Sequence, residues 1–298
     1  MNRTLIIGCT GQLGSECMKT FGEEAAGVDF PQIDITDEAS VRAAFAQAGT
    51  PAAVVNCAAY TAVDKAETER EACEKLNAAA PGTLAKICRE HGAFLIHIST
   101  DYVFNGEREI PRPWAENEKP EPRSWYGATK LAGENAIRES GCEYAILRTA
   151  WLYGVNGKNF PKTMLRMALA GGKMRIVSDQ FGSPTCAADL ARQICEIAKP
   201  QNRETVKNRI YHAVSSGWTS WHGFAEEFLR MMAVPHNIQA VKTVDYPTPA
   251  KRPHNSILAT TRLRELGLCV MPDWEIALAE FVAKNKTKLI SEAKAAGY

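Results

Sequence analysis

The chain has 298 residues, enough for one large α/β domain with a smaller partner lobe and too many for one core of ordinary size. Lys plus Arg number 35 against 34 Asp plus Glu, so a net charge of +1 gives no electrostatic basis for binding nucleic acid or an anionic membrane, and a small ligand is the default. No stretch approaches the ~20 apolar residues of a membrane span and the N-terminal apolar run is shorter than a signal core, so a cytoplasmic protein is expected.

Nine cysteines are scattered without a C-x-x-C, and an odd total cannot all pair within one chain, which predicts buried, reduced thiols. The six histidines show no H-E-x-x-H and no metal-ligand spacing with the cysteines, so metal catalysis is set aside.

Short apolar runs at residues 4–8, 53–57, 94–98 and 144–148 alternate with longer amphipathic stretches, which predicts a parallel sheet. The runs have no polar face, so they fit strands covered by helices on both sides: an α/β, doubly wound Rossmann sheet. After about residue 150 the pattern changes. Helical patterns at 159–170, 187–198 and 219–232 remain, residues 210–214 return to the sheet, and Pro247, Pro249 and Pro253 break regular structure across 246–255. Residues 1–150 are therefore assigned to a dinucleotide-binding domain to which later segments return, and 151–298 mainly to a smaller α/β substrate-binding lobe.

The first run leads directly into Gly8-Cys9-Thr10-Gly11-Gln12-Leu13-Gly14 and then a helical pattern. A pyrophosphate binds where free backbone N–H groups at a helix start point at it, and residues without Cβ let the backbone approach. Gly8, Gly11 and Gly14 suit those needs. Asp29 stands near where a carboxylate would hold the adenosine ribose; it accepts from a free 2′-OH and repels a 2′-phosphate, favouring NADH, while Arg3 keeps NADPH open. Asp34 and Ile35 begin the next turn and flank the adenine. Asn56-Cys57-Ala58-Ala59-Tyr60 closes the second run with small residues, leaving room for a dinucleotide.

Ser99-Thr100-Asp101 ends the third run, and Tyr126-Gly127-Ala128-Thr129-Lys130 follows on a helix. Tyr and Lys four apart share a helix face. A lysine ammonium beside the phenol is expected to lower its pKa from about 10 so that it acts as acid or base near neutrality. Tyr126 would protonate the oxyanion formed as hydride arrives, Thr100 would hold that oxygen, and Lys130 would grip the nicotinamide ribose. Arg252 lies in the proline-bounded stretch, where its forked guanidinium suits a diphosphate.

Together these motifs resemble the extended short-chain dehydrogenases, and more narrowly their reductases of 4-keto nucleotide sugars, from Gly8 to about Trp274. Further runs that carry the resemblance are Tyr60 to Glu67, Ser99 to Phe104, Tyr126 to Glu134, Arg148-Thr149-Ala150-Trp151, Asp179 to Thr185 and Pro247 to Ser256. The resemblance implies Thr100, Tyr126 and Lys130 at the catalytic positions and Val63, Asp101, Trp151 and Asn255 toward the sugar nucleotide. It also implies Gly11, Gln12, Leu13, Ala58 and Ala59 along the cofactor. It implies reduction of dTDP-6-deoxy-L-lyxo-4-hexulose to dTDP-L-rhamnose with NADPH or NADH. Related dehydratases carry an Asp-Glu pair after the threonine; Asp101-Tyr102 stands here, which disfavours elimination. Some members dimerise through Mg²⁺ held by acidic residues. Glu16 offers one ligand, but Ala188 and Arg192 stand where those members carry carboxylates, so a monomer or weak homodimer is expected. Two alternatives remain open: a non-catalytic NADP-binding subunit similar to the methionine adenosyltransferase β-subunit, and a reductase or epimerase of another nucleotide sugar.

Overall fold

Along the first strand Leu5 and Ile7 enter one apolar cluster and Ile6 another, so a strand with no polar face is buried on both sides. In the computed structural model, which describes residues 3–295, β1 (Thr4–Ile7) runs into α1 (Gln12–Phe21), β2 (Ala25–Val28), α2 (Glu38–Ala48) and β3 (Ala53–Asn56). Next come α3 (Arg70–Glu74), a π-helical turn at Lys75–Ala79, α4 (Ala80–Glu90), β4 (Phe94–Thr100), α5 (Trp125–Glu139) and β5 (Tyr144–Thr149). Residues 1–2 and 296–298, the outer ends of the two expected lobes, lie outside the described residues.

Beyond residue 150 lie β6 (Leu152–Tyr153), α6 (Phe160–Leu169), β7 (Lys173–Val177), β8 (Phe181–Gly182), β9 (Thr185–Cys186), α7 (Ala187–Ala198), α8 (Pro200–Val206) and β10 (Arg209–His212). The chain continues through β11 (Thr219–Ser220), α9 (Trp221–Met232), β12 (Asn237–Val241), β13 (Asn255–Ser256), α10 (Thr261–Glu265) and α11 (Trp274–Ala295).

Six parallel strands form the main sheet in the order β10-β5-β4-β3-β1-β2. Residues of α1 and α7 cover one face; residues of α2, α4 and α5 cover the other. The four expected apolar runs are all strands of this sheet, and the run after 209 joins it as β10. The strand order reverses at β1, with β2 to one side and β3 to the other. In such sheets ligands bind beyond the carboxyl ends of the strands at this reversal, where Gly8 and Cys57 follow β1 and β3. A separate cluster of α6, α9 and α11 residues packs with Met174 and Ile176 of β7, which pairs with β12. No helix among the described residues is long and apolar enough to cross a membrane.

Candidate active site

A cleft of about 870 Å³ opens at the strand-order reversal. Its floor begins with the glycine turn. Gly8 has φ +78°, and a Cβ there would lie 3.0 Å from Ala58 N. A Cβ on Gly14 would lie 2.0 Å from Gly8 O, so only glycine lets α1 start this close to β1. Gly11 precedes α1, whose first turn carries no side-chain cap. Its backbone donors therefore remain for an anion.

Gly8, Gly11, Gln12, Leu13, Asp29, Asp34, Ile35, Ala58 and Ala59 all line the cleft. Asp29 Oδ2 accepts from Thr10 N at 2.8 Å and Thr10 Oγ1 at 2.5 Å, and Oδ1 accepts from Phe30 N at 2.8 Å. Burial pulls this carboxyl upward, but the Thr10 and Phe30 bonds outweigh it and leave its pKa below the usual range. Asp34 accepts from Thr36 N at 2.9 Å and Thr36 Oγ1 at 2.7 Å, which likewise keeps it ionised.

The opposite wall is built by β4 and α5. Ser124 caps α5, accepting from Gly127 N at 3.1 Å, and Trp125 N donates to Glu67 Oε1 at 2.8 Å. A Cβ on Gly127 would lie 2.2 Å from Tyr102 O and one on Gly133 2.2 Å from Asn77 O. Glycine thus lets α5 dock at Gly127 against the turn after β4 and at Gly133 against the π-helical turn before α4, bringing Tyr126 and Lys130 to the cleft with Thr100 and Asp101. Thr100 Oγ1 donates to Asp101 Oδ1 at 3.0 Å and accepts from Tyr102 N at 3.2 Å, and the Tyr102 ring meets Tyr126 edge-on at 5.5 Å.

The electrostatics differ from expectation in one respect. Burial pushes the Tyr126 phenol up, Asp101 adds to the rise, and Thr100 only partly offsets it. The predicted lowering by Lys130 is not found, because Lys130 Nζ donates to the Ile98 carbonyl at 2.7 Å and sits 3.3 Å from His97 Nε2. Burial pushes the lysine itself down to about 8, against the opposing influence of Glu134. Burial likewise lifts Asp101 to about 6, against the Ser256 and Thr100 hydroxyls. His97 is held neutral by burial and by Lys130.

Val63, Trp151, Tyr126 and Lys130 line the cleft; Gly14, Tyr60, Asn255 and Arg252, also named as site residues from the sequence, do not. Gly14 acts beneath the floor through the missing Cβ. Tyr60 turns away, its hydroxyl donating to Glu69 Oε2 at 2.5 Å, a bond that lifts the phenol to about 12. Asn255 is buried as a loop brace, donating to Arg112 O and accepting from Ile257 N, each at 2.9 Å. Arg252 is engaged by Asp64 at 2.5 Å and by Tyr102 OH at 3.0 Å. Arg3 does not line the cleft either.

Sequence reasoning missed Thr61, Tyr102, Lys158 and Trp221, which line the cleft. Tyr102 was adjacent to a chosen residue, whereas Trp221 lay inside the helical pattern at 219–232 with no motif to single it out. The buried Glu134–Arg148 pair, with Glu134 Oε1 also accepting from Ser99 Oγ at 2.6 Å, was unforeseen as well. A second hollow of about 570 Å³ beside that pair holds none of the expected site residues. Among the described residues no cluster of three or more His, Cys, Asp or Glu is placed to hold a metal, and Glu16 pairs with Lys19 at 2.7 Å.

Residues 1–287 match the protein family described as RmlD substrate binding domain. The dTDP-4-dehydrorhamnose reductase of Escherichia coli (strain K12) is 38% identical over 92% of this chain and 95% of its own length. A probable dTDP-4,6-dihydroxy-2-methyloxan-3-one 4-ketoreductase of Streptomyces antibioticus is 40% identical over 93% of this chain and 94% of its own. Among solved structures, a dTDP-4-dehydrorhamnose reductase of Bacillus anthracis in complex with NADP superposes with a TM-score of 0.88 at 36% identity, covering 95% of this chain and 99% of that one.

Proposed function

Because the chain belongs to the RmlD substrate binding domain family, we propose that it reduces the 4-keto group of dTDP-6-deoxy-L-lyxo-4-hexulose to dTDP-L-rhamnose. One observation carries this reading: Thr100, Asp101, Tyr126 and Lys130 meet in the same cleft that the glycine turn floors. That turn fits a dinucleotide, since the space a Cβ would fill at Gly8 and Gly14 is taken up by backbone. When bound, NADPH or NADH supplies the hydride.

The chain's own part is proton transfer and charge placement. Thr100 Oγ1 holds the substrate carbonyl oxygen, and the Tyr126 hydroxyl gives its proton to that oxygen as negative charge develops there. A phenol with a raised pKa is fully protonated at neutrality and enters the step as the acid. Lys130 would hold the ribose of the nicotinamide half and Asp29 the adenosine ribose, where its charge would favour NADH. Val63, Asp101 and Trp151 face the sugar. The Rossmann unit is read as residues 1–150 with β10 returning to it, and residues from 151 onward as the substrate lobe. Ala188 and Arg192 in α7, where some members carry carboxylates, fit a monomer or weak homodimer, and a cytoplasmic location is part of the same reading.

The deciding experiment supplies purified protein with the 4-keto sugar nucleotide generated in situ and follows absorbance of NADH and of NADPH. Stoichiometric oxidation is expected; a flat trace would sink the reading and leave a non-catalytic dinucleotide-binding subunit. The Streptomyces antibioticus relative favours one second reading, a different dTDP-linked 4-keto sugar as substrate. A panel of such sugars in the same assay separates the two, and net consumption of reduced cofactor excludes an epimerase.

A further inference from the structure

Trp151 has φ +49°, a left-handed backbone that large side chains rarely adopt. Such a conformation persists only where the surroundings over-determine it, and it gathers at ligand sites. Three contacts fix it here. The Trp151 indole stacks on that of Trp221 with ring centroids 3.6 Å apart and planes 9° from parallel. A Cβ on Gly182 would lie 2.5 Å from Trp151 Cε2 and 2.7 Å from Nε1, so the indole edge occupies space that only glycine leaves. The Trp151 carbonyl accepts from Thr185 N at 3.2 Å. Trp221 is braced in turn: Phe160 packs on it at 4.5 Å, and Ser220 caps α9 by accepting from Gly223 N at 3.0 Å.

Both indoles line the cleft, and their position along it is informative. Trp151 follows Thr149 by two residues, and Thr149 is the register partner of Thr100 across β4 and β5. The stacked pair therefore stands at the reacting end of the cleft. An indole face carries partial negative charge and accepts polarised C–H groups. Resting on the substrate reading above, we propose that Trp221 and Gly182 are positioning residues that hold the Trp151 indole as a rigid ledge for the pyranosyl ring of the nucleotide sugar. A ledge fixed before binding has little side-chain freedom to lose when the sugar arrives.

The test uses full-length Trp221→Ala, Trp221→Phe and Gly182→Ala with two readouts. In steady state, Trp221→Ala and Gly182→Ala should raise KM for the keto sugar nucleotide about three- to tenfold, the scale of one aromatic contact. kcat and KM for the dinucleotide should change less than about twofold, and Trp221→Phe should recover most of the loss. In fluorescence titration, dTDP-glucose should bind both disruptive variants more weakly while dTDP alone binds as before. Circular dichroism reports the stack, whose coupled indole signal should vanish in Trp221→Ala and weaken in Gly182→Ala. Loss of that signal with unchanged KM and unchanged dTDP-glucose affinity would overturn the proposal. Equal weakening of dTDP would overturn it too, assigning the ledge to the base. If the unmodified protein oxidises no reduced cofactor, the substrate reading fails, and the dTDP-glucose comparison still decides the ledge. Should Gly182→Ala not fold, the two Trp221 variants carry the same comparison.

Discussion

Arg252 donates from Nη2 to Asp64 Oδ2 at 2.5 Å, joining residues 188 positions apart and tying the proline-rich segment to the cleft rim beside Val63. The guanidinium that suits a diphosphate is thus shared with a carboxylate. The pair is partly exposed, 26% and 39% for the two side chains, and such pairs contribute about 0–1 kcal/mol. Asp64→Asn is therefore expected to change stability by less than about 1 kcal/mol. It should lower KM for the nucleotide sugar about threefold or more by releasing Arg252 to the diphosphate. A higher KM would mean that Asp64, and not the diphosphate, is the working partner.

Asp101 gives a pH signature. Its folded pKa of about 6 lies above the ordinary 3.8, so the folded state binds the proton more tightly than the unfolded chain does. The contribution to stability is present below pH ~4 and is lost as pH rises through about 6, up to about 3 kcal/mol in all. Thermal unfolding of the unmodified protein should therefore fall relative to Asp101→Asn across that window. Parallel curves for the two proteins would refute the assignment.

Gly14→Ala tests the floor of the cleft. The added methyl would meet Gly8 O, Gly8 C and Cys9 Cα within 2.8 Å, all backbone that cannot swing aside. Dinucleotide affinity measured by calorimetry should fall more than about tenfold, with a lower unfolding temperature. Unchanged affinity would show that the turn tolerates displacement.

How far the sequence discloses these features depends on the range of the interaction. The apolar runs became β1, β3, β4 and β5 because period and burial are local properties that survive in one dimension. β2 did not announce itself: Ala25-Ala26-Gly27-Val28 has one β-branched residue, and its glycine leaves room for Met18 Sδ and Cys9 Cβ, which a Cβ there would approach to 2.7 and 2.9 Å. Glu134 ended one motif run and Arg148 began another, and nothing in either run told that they form a buried bidentate pair beside the second hollow, joined only by folding. Spacing put Tyr126 and Lys130 on one helix face, but the sign of the phenol shift depended on burial and on the Ile98 carbonyl that engages the ammonium. Asn255 and Arg252 share a short run, and only tertiary contacts separate a loop brace from a rim residue.

Lys130 sets the alkaline limit. Its ammonium has a pKa lowered by burial to about 8, so the positive charge is complete below that pH and lost as pH rises through it. A reaction that needs the charge beside the cofactor ribose should show kcat falling about tenfold per pH step well above 8. Lys130→Met should be slow and show no such fall in that range. A limb in the unmodified enzyme that stays level to pH 10 would remove the charge requirement.

Tyr126→Phe isolates the proton itself. Phenylalanine fills nearly the same buried volume and keeps the edge-on contact with Tyr102, so the fold and the glycine turn should be untouched. What disappears is the hydroxyl that stands with Thr100 at the reacting end of the cleft. General acid catalysis is worth about 10²- to 10⁴-fold, so kcat should fall by that factor while calorimetric affinity for NADPH or NADH stays within about twofold. The loss should be the same at pH 6 and pH 8, since a phenol raised by burial is protonated at both. Near-normal turnover in the variant would mean that another group, with the buried Asp101 a candidate, delivers the proton.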